Sequence, residues 1–375
     1  MKTPRLAVWP PLPLRIYTRR PSVHLPFPLH EPNCRLFARA RHALWQGTQA
    51  LGLGAGDEIL APAYHHGSEI EALCQAGLTC RFYEATETLA PDAQELEKLL
   101  SPRTRALYII HYLGFPQDAG RWRTWCDRRG LFLIEDAAQA WLAAVDGRLL
   151  GSFGDLAFFC LYKTFGLPDG SALVSPRPLP VAQAQPCSGL PQLGVRHVEW
   201  LMARSGWLAE FGTRRRHPAA QHSGDPFSLG DPHSPPSSAT SFLLSRVVDT
   251  EAAAQRRRHY HLLLERLAEY VPAPFVHVPT GASPFAFPIE TDQKAAVLAR
   301  LTRDGVAALD FWSVGHPSLP VAQCPQATLR RSRTIGLPVH QELRIDDVER
   351  IARAVRDTME DLLGTRRMLR RGYGS

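Results

Sequence analysis

Lysine is almost missing from this chain. Of 43 lysines and arginines, only Lys2, Lys98, Lys163 and Lys294 are lysines. The arginines are spread along the whole length and, against 36 acidic residues, leave a formal net charge of +7. A basic excess selects polyanions when it is gathered on one face, and one local cluster here is Arg214, Arg215 and Arg216. That cluster lies in a Pro/Ser/Gly/His tract, residues 212–240, which reads as a flexible surface loop, so no nucleic-acid partner is expected. Long apolar runs are missing too. Prolines interrupt the N-terminal MKTPRLAVWPPLPLRIYTRR, and no uninterrupted apolar segment approaches the ~18 residues of a membrane span. No membrane partner is expected, and the chain reads as cytoplasmic. Seven cysteines (Cys34, Cys74, Cys80, Cys126, Cys160, Cys187 and Cys324) form no CxxC pair and no regular spacing, which excludes a disulfide framework and gives no zinc or other metal site.

What is present is a rhythm. From about Phe37 to Ser175, short apolar runs (DEILAPAY, TCRFYEA, RALYIIHYLG, GLFLIEDA, DLAFFCLYK, SALVS) alternate with helical patterns such as GSEIEALCQAG and DAQELEKLLSP. That alternation belongs to βα units around a mainly parallel sheet covered on both faces. After Ser175 the rhythm stops for some sixty residues. A long helix pattern then starts near Ser241 and runs through RRRHYHLLLERLAEYV, followed by the mixed elements of a small α+β domain. The expected organisation is an N-terminal arm over 1–36, a large α/β domain over 37–240, and a linking helix with a small C-terminal domain over 241–375.

Two adjacent carboxylates, Glu135 and Asp136, end the apolar run LIEDAAQA. In an open α/β sheet the carboxyl ends of strands are where ligands sit, although Asp before Ala-Ala is equally an ordinary N-cap for a following helix. The lysine count bears on this choice. Lys2 is terminal, and Lys98 and Lys294 fall in amphipathic helices where they read as solvated. Lys163 ends a buried strand before a Gly/Pro turn, where an ammonium is costly. Arginine cannot replace lysine in one chemistry, the attack of a neutral amine on an aldehyde to form a Schiff base, and desolvation at a strand end would lower the amine's pKa toward that use. An enzyme using pyridoxal 5'-phosphate needs such a lysine, a carboxylate for the pyridine nitrogen, and backbone amides for the phosphate. Asp136 and Lys163, on successive strands, suit that pairing.

These residues resemble the DegT/DnrJ/EryC1/StrS aminotransferases, through LIEDAAQA, GSFGDLAFF and KTFGLPDGSALV in that order. The resemblance implies a fold-type I pyridoxal phosphate enzyme with a mainly parallel seven-stranded sheet, acting as a homodimer. Its implied activity is transfer of an amino group, from glutamate or a similar donor, to a keto sugar that is often nucleotide-linked. By position, Lys163 would form the Schiff base and Asp136 would face the pyridinium. Gln139, one turn into the next helix, would lie near the ring hydroxyl. Cys160 stands where a phosphate-binding Ser is usual, and the amides of Ala40 and Arg41 would meet the phosphate. His66 stands at the position of a ring-stacking aromatic, and His65 at that of a common Thr. His111 reads as a packed histidine. The family's Asn-Arg motif is not recognisable near SSATSFLLSR, and its Gly-Gly after the lysine loop is Gly170-Ser171. A dehydratase of the same fold, or a non-catalytic member with a binding role, are the alternative readings.

Overall fold

The computed structural model describes residues 5–84, 86–179, 184–204 and 227–372, with side chains described to residue 362. The chain opens with strand β1 (Leu6–Ala7), then alternates through β2 (Cys34–Phe37), α1 (Ala40–Ala50), β3 (Glu58–Pro62), α2 (Ser68–Gln75), β4 (Thr79–Tyr83), α3 (Ala93–Leu99), β5 (Thr104–Ile110), α4 (Ala119–Asp127) and β6 (Phe132–Asp136). A small hairpin, β7 (Ala144–Val145) and β8 (Arg148–Leu149), leads to β9 (Leu156–Cys160), the single turn α5 (Leu161–Thr164) and β10 (Ser171–Val174). Seven of these strands form one sheet in the order β2-β10-β9-β6-β5-β3-β4. Only β10 is antiparallel to its neighbours, and the other four pairings are parallel.

Local chemistry explains these elements. Every residue of β3 and β9 is buried, and all of β6 but its first, as a sheet covered on both faces requires. The helices α3 and α4 start at Asp92 and Asp118, whose carboxylates accept the amides of Gln94, Glu95 and Arg121, satisfying donors that the first helical turn leaves open.

Four expectations change. The apolar strand β6 is followed by turns over 137–142, not by a helix: Ala140 and Ala143 donate back to Ala137 and Ala140, and Leu142 adopts a φ of 72°. The irregular stretch after Ser175 contains a helix, α6 (Leu190–Arg204). The long linking helix is two helices, α7 (Ser238–Val247) and α8 (Glu251–Leu267), because Val248 is extended and Asp249 caps a new start by accepting the amides of Glu251 and Ala252. The segment expected as an N-terminal arm is paired at both ends, Leu6–Ala7 with Val306–Ala307 and Cys34–Phe37 at an edge of the large sheet.

The small domain continues with β11 (Phe287–Glu290), α9 (Lys294–Arg303), β12 (Val306–Ala307), β13 (Leu309–Asp310), α10 (Pro325–Arg333), β14 (Thr334–Leu337) and α11 (Ile345–Gly372). One apolar core joins Leu44, Ile134 and Phe158 to Phe287, Ile335 and Val355.

Of the tract expected to be a surface loop, residues 212–226, with the three arginines, lie outside the described residues. Residues 227–240 are docked. The guanidinium of Arg41 donates to Ser228 O, His42 to Leu229 O at 2.9 Å and Gln46 to Pro232 O at 3.3 Å. The buried carboxylate of Asp169 accepts Ser237 N at 3.1 Å, Ser237 Oγ at 2.9 Å and Thr240 Oγ1 at 2.5 Å. Removing that acceptor strands Ser237 N and leaves Ser237 Oγ and Thr240 Oγ1 only their bonds to Thr240 Oγ1 and Asp169 O at 3.2 and 3.3 Å, so Asp169→Ala is expected to cost about 1–3 kcal/mol. Urea unfolding measures it, and a loss below about 0.5 kcal/mol would show that the segment is not anchored there.

Candidate active site

The two carboxylates at the end of β6 divide their work, because successive strand residues face opposite sides of the sheet. Glu135 is fully buried and accepts the amides of Gly151, Phe153 and Gly154 at 3.0, 2.8 and 2.6 Å, with His111 Nε2 at 3.1 Å. It orders the loop before β9. His111, whose Nδ1 accepts the amide of Gln117, is a packed histidine as expected.

Asp136 faces the other side. It accepts the Tyr108 hydroxyl at 2.6 Å and the Ala138 amide at 2.8 Å. Burial pushes its pKa up to about 6, with the charge of Glu69 adding to the rise, while Tyr108, Ala138 and Lys163 oppose it.

Lys163 rides on α5, directly after β9, which pairs with β6 so that Phe158 lies beside Asp136. Its Nζ lies 5.7 Å from the centroid of the Phe285 ring. The expectation of a lowered amine pKa is overturned. Burial does lower it, as the largest single effect, but Cys160, Tyr162, Asp136 and Glu69 together raise it above the ordinary lysine value. The reading of Lys294 as solvated is overturned as well. That ammonium is buried and bonds Phe311 O, Arg331 O and Ser313 Oγ at 3.2, 2.7 and 2.6 Å, with Asp310 at 2.6 Å. Lys98 is exposed. Among the described lysines, Lys163 alone is shielded from solvent and yet has no hydrogen-bond or ion-pair partner.

The far end of the site is the start of α1. Arg39 occupies the cap position in extended conformation without a side-chain cap, and among the described residues the amides of Ala40 and Arg41 meet no acceptor. The Arg39 guanidinium lies 5.6 Å from the Tyr162 ring centroid. The Cys160 thiol contacts Tyr162 Oη at 3.8 Å, and burial raises its pKa, so it remains a neutral thiol. Gln139 lies in a turn, not a helix. Its Oε1 accepts the Leu113 amide at 2.8 Å, and its Nε2 has no acceptor among the described residues.

The two histidines part ways. His65 is fully buried, donates from Nδ1 to Pro62 O at 2.9 Å and stacks on Phe82 at 5.4 Å, which makes it a packing residue. His66 is exposed, edge-on to Phe227 at 6.2 Å and to Trp312 at 6.5 Å. The surrounding protein pushes its pKa down to about 4, Lys163 and Arg41 contribute, and Glu69 opposes.

Glu69 was not among the expected site residues. This buried carboxylate accepts the amides of His66 and Gly67 at 2.8 and 3.1 Å in the first turn of α2. The Ser-Glu start of a helix carried that signal. Tyr108, inside an apolar strand, carried none.

A free shielded amine, a buried carboxylate and an open helix N-terminus fit the aldehyde, ring nitrogen and phosphate of pyridoxal 5'-phosphate. With the seven-stranded sheet, they define a fold-type I scaffold of the pyridoxal-phosphate-dependent transferases. The model of the DegT/DnrJ/EryC1/StrS aminotransferase family matches residues 29–199. The UDP-N-acetyl-3-dehydro-alpha-D-glucosamine 3-aminotransferase of Acidithiobacillus ferrooxidans is 28% identical over 334 residues, covering 86% of this chain and 83% of that protein. Among solved structures, the Helicobacter pylori PseC aminotransferase superposes with a TM-score of 0.67 at 17% identity, over 96% of this chain and 100% of that one. The Streptococcus pneumoniae protein Spr1654 in its PMP form gives 0.63 at 16% identity, over 88% of each chain. Over residues 29–199 the chain is similar to the DegT/DnrJ/EryC1/StrS aminotransferases.

Asp136 gives a pH prediction for the cofactor-free protein. Its pKa is raised from 3.8 to about 6 on folding. Its contribution to stability is therefore full below pH ~4 and is lost as pH rises through about 6. At pH 7.5, Asp136→Asn should stabilise the cofactor-free protein by about 1–3 kcal/mol and flatten that pH window. A variant less stable than the parent at pH 7.5 would contradict the assignment of a buried charge.

Proposed function

We propose that this aminotransferase moves an amino group from an amino acid, glutamate being the expected donor, to a keto sugar, with a nucleotide-linked sugar as the acceptor class. The observation that carries the reading is the shielded Lys163 amine, unpartnered beside buried Asp136. The Acidithiobacillus relative, which matches across most of both chains and is a 3-aminotransferase of a UDP-linked sugar, supports the acceptor class. Retention of Lys163 speaks against the dehydratase alternative, and retention of both Lys163 and Asp136 speaks against a purely binding role.

Lys163, Asp136, Gln139, His66 and the amides of Ala40 and Arg41 would hold the cofactor, with neutral Cys160 beside its phosphate. When bound, pyridoxal 5'-phosphate supplies an aldehyde that exchanges oxygen for an amine nitrogen and a ring that takes up electrons from the substrate carbon. Asp136 carries a negative charge at neutral pH, and its Oδ2 is oriented by Tyr108 and its Oδ1 by Ala138, which keeps a facing ring nitrogen protonated. Lys163 Nζ takes and returns a proton, as a general base positioned in a water-poor cleft. Its raised pKa makes it an ammonium in the cofactor-free protein, so the charges of Asp136 and Glu69 hold the proton that must leave before the amine reacts. Arg39 and Arg41 place positive charge by the open end of α1, where an anion is favoured.

We further propose that the enzyme is a cytoplasmic homodimer. No described helix is long and apolar enough to cross a membrane. The helix α6 turns His197 toward the body, where it bonds Tyr17 and Leu12 O, and leaves Leu190, Val195 and Val198 exposed, an apolar stripe that a second copy would cover.

With glutamate and a nucleotide-linked keto sugar supplied, the wild-type chain should produce the amino sugar, and Lys163→Ala should be slowed at least ~10³-fold. Product analysis by mass spectrometry reads both, and a variant within tenfold of wild type would remove Lys163 from the chemistry. Light scattering of the active enzyme should give twice the 41.7 kDa chain mass, and a single-chain mass would remove the dimer.

A further inference from the structure

The turn that carries Lys163 is four residues long, too short for a helix to be stable by itself. Among its own bonds is that from the Phe165 amide to Leu161 O at 3.0 Å. The carbonyls of Lys163 and Thr164, at the end of the turn, have no later helical amide to meet. Both are met by one side chain. Arg256, in α8 and 1% exposed, donates from Nη2 to Thr164 O at 2.6 Å and to Lys163 O at 3.4 Å. From Nη1 it reaches Pro284 O at 3.1 Å, and from Nε it reaches Gln341 Oε1 at 2.8 Å. Gln341 Nε2 in turn donates to Thr164 O at 3.0 Å.

Two features of this knot are unusual for a stabilising contact. None of the partners recorded for the guanidinium is a carboxylate, and burial alone pushes its pKa down to about 9. A buried cation without a counter-ion is costly, and an apolar residue would fill the same space without that cost. The partners are also specific. Thr164 and Lys163 carry the amine, and Pro284 precedes Phe285, whose ring lies beside Lys163 Nζ. The Phe285 backbone is fixed from the other side by Leu113 O, whose own amide is held by Gln139.

We propose that Arg256 is the positioning residue of Lys163: its planar fork fixes the backbone that carries the amine and the segment that carries the neighbouring ring, and so aims Nζ at the cofactor aldehyde. The proposal rests on the reading of Lys163 as the cofactor-binding lysine. It explains why the position holds arginine, since three carbonyls in different directions need the guanidinium's several in-plane donors and an ammonium at the end of a flexible stem cannot span them. It also ties the aim of the amine to α8 and, through Gln341, to the turn between β14 and α11.

The test separates aim from fold. Cofactor-free Arg256→Lys and Gln341→Met are mixed with pyridoxal 5'-phosphate, and the rate at which the Schiff-base absorbance appears is measured. Binding of 4'-deoxypyridoxine 5'-phosphate, which lacks the aldehyde and does not need the amine, is measured in parallel, as is thermal unfolding. For Arg256→Lys the rate should fall about 10-fold to 100-fold while the analogue's Kd stays within twofold. Gln341→Met, which keeps the guanidinium, should lose a smaller factor in the same sense, and it serves alone if Arg256→Lys does not fold. Wild-type rates in both variants would overturn the proposal. So would a parallel fall of rate, analogue affinity and unfolding temperature, which would make Arg256 a structural residue only. A wild-type protein that forms no Schiff base with pyridoxal 5'-phosphate would instead remove the underlying reading of Lys163.

Discussion

One helical turn makes too few backbone hydrogen bonds to offset the entropy of fixing its residues, and the side chain on which this site turns stands on such a turn. Everything around α5 compensates for that. The turn begins at the buried end of β9, its first amide is held by Gly170 O, and its last carbonyls are held by Arg256 and Gln341. Gly170 itself has a φ of 113°, with Thr240 Cγ2 only 3.0 Å from where a Cβ would stand, so the return from the turn to β10 needs glycine on both counts. The large sheet supplies the platform, and the linking helix and small domain supply the clamp.

Electrostatics follow from the same burial. Asp136 and Glu69 are two carboxylates whose charges act on one amine, and each is partly satisfied by backbone amides. In the proposed reading, this charge would be matched by a ligand with a cationic ring nitrogen and a phosphate. The nitrogen would relieve the desolvated Asp136, and the phosphate would meet Arg39, Arg41 and the open amides of α1. In that reading the ligand would neutralise charge that the cofactor-free protein holds, which would account for a buried Asp with a raised pKa at a strand end.

The sequence disclosed the parts of this arrangement that depend on residue type. A lysine kept in an arginine-rich chain, and an acid at the end of an apolar strand, can be read because few structural roles demand them. The central strands could be read from their unbroken apolar runs. Side-chain direction could not. His65 and His66 are identical in type and adjacent, and only the turn after β3 puts one against Phe82 and leaves the other exposed. Lys294 lies in an amphipathic helix pattern that does not show Asp310 and three other oxygens converging on it. Arg256 is one of three consecutive arginines, and only the helical phase of α8 drives it into the core. Tyr108 reads as an ordinary sheet residue until β6 places Asp136 beside its hydroxyl. The missing helix after Asp136 shows the limit of cap signals, because Asp-Ala-Ala suits a helix start and a turn equally well.

The central claim is that one amine, fixed on a single turn beside a buried carboxylate, takes the cofactor. It is tested most directly by reducing the wild-type protein with borohydride in the presence of pyridoxal 5'-phosphate and mapping the pyridoxyl adduct by peptide mass spectrometry. The account predicts one adduct, on Lys163, with exposed Lys98 and the fully bonded Lys294 unmodified. An adduct on Lys98 or Lys294 in place of Lys163 would contradict it.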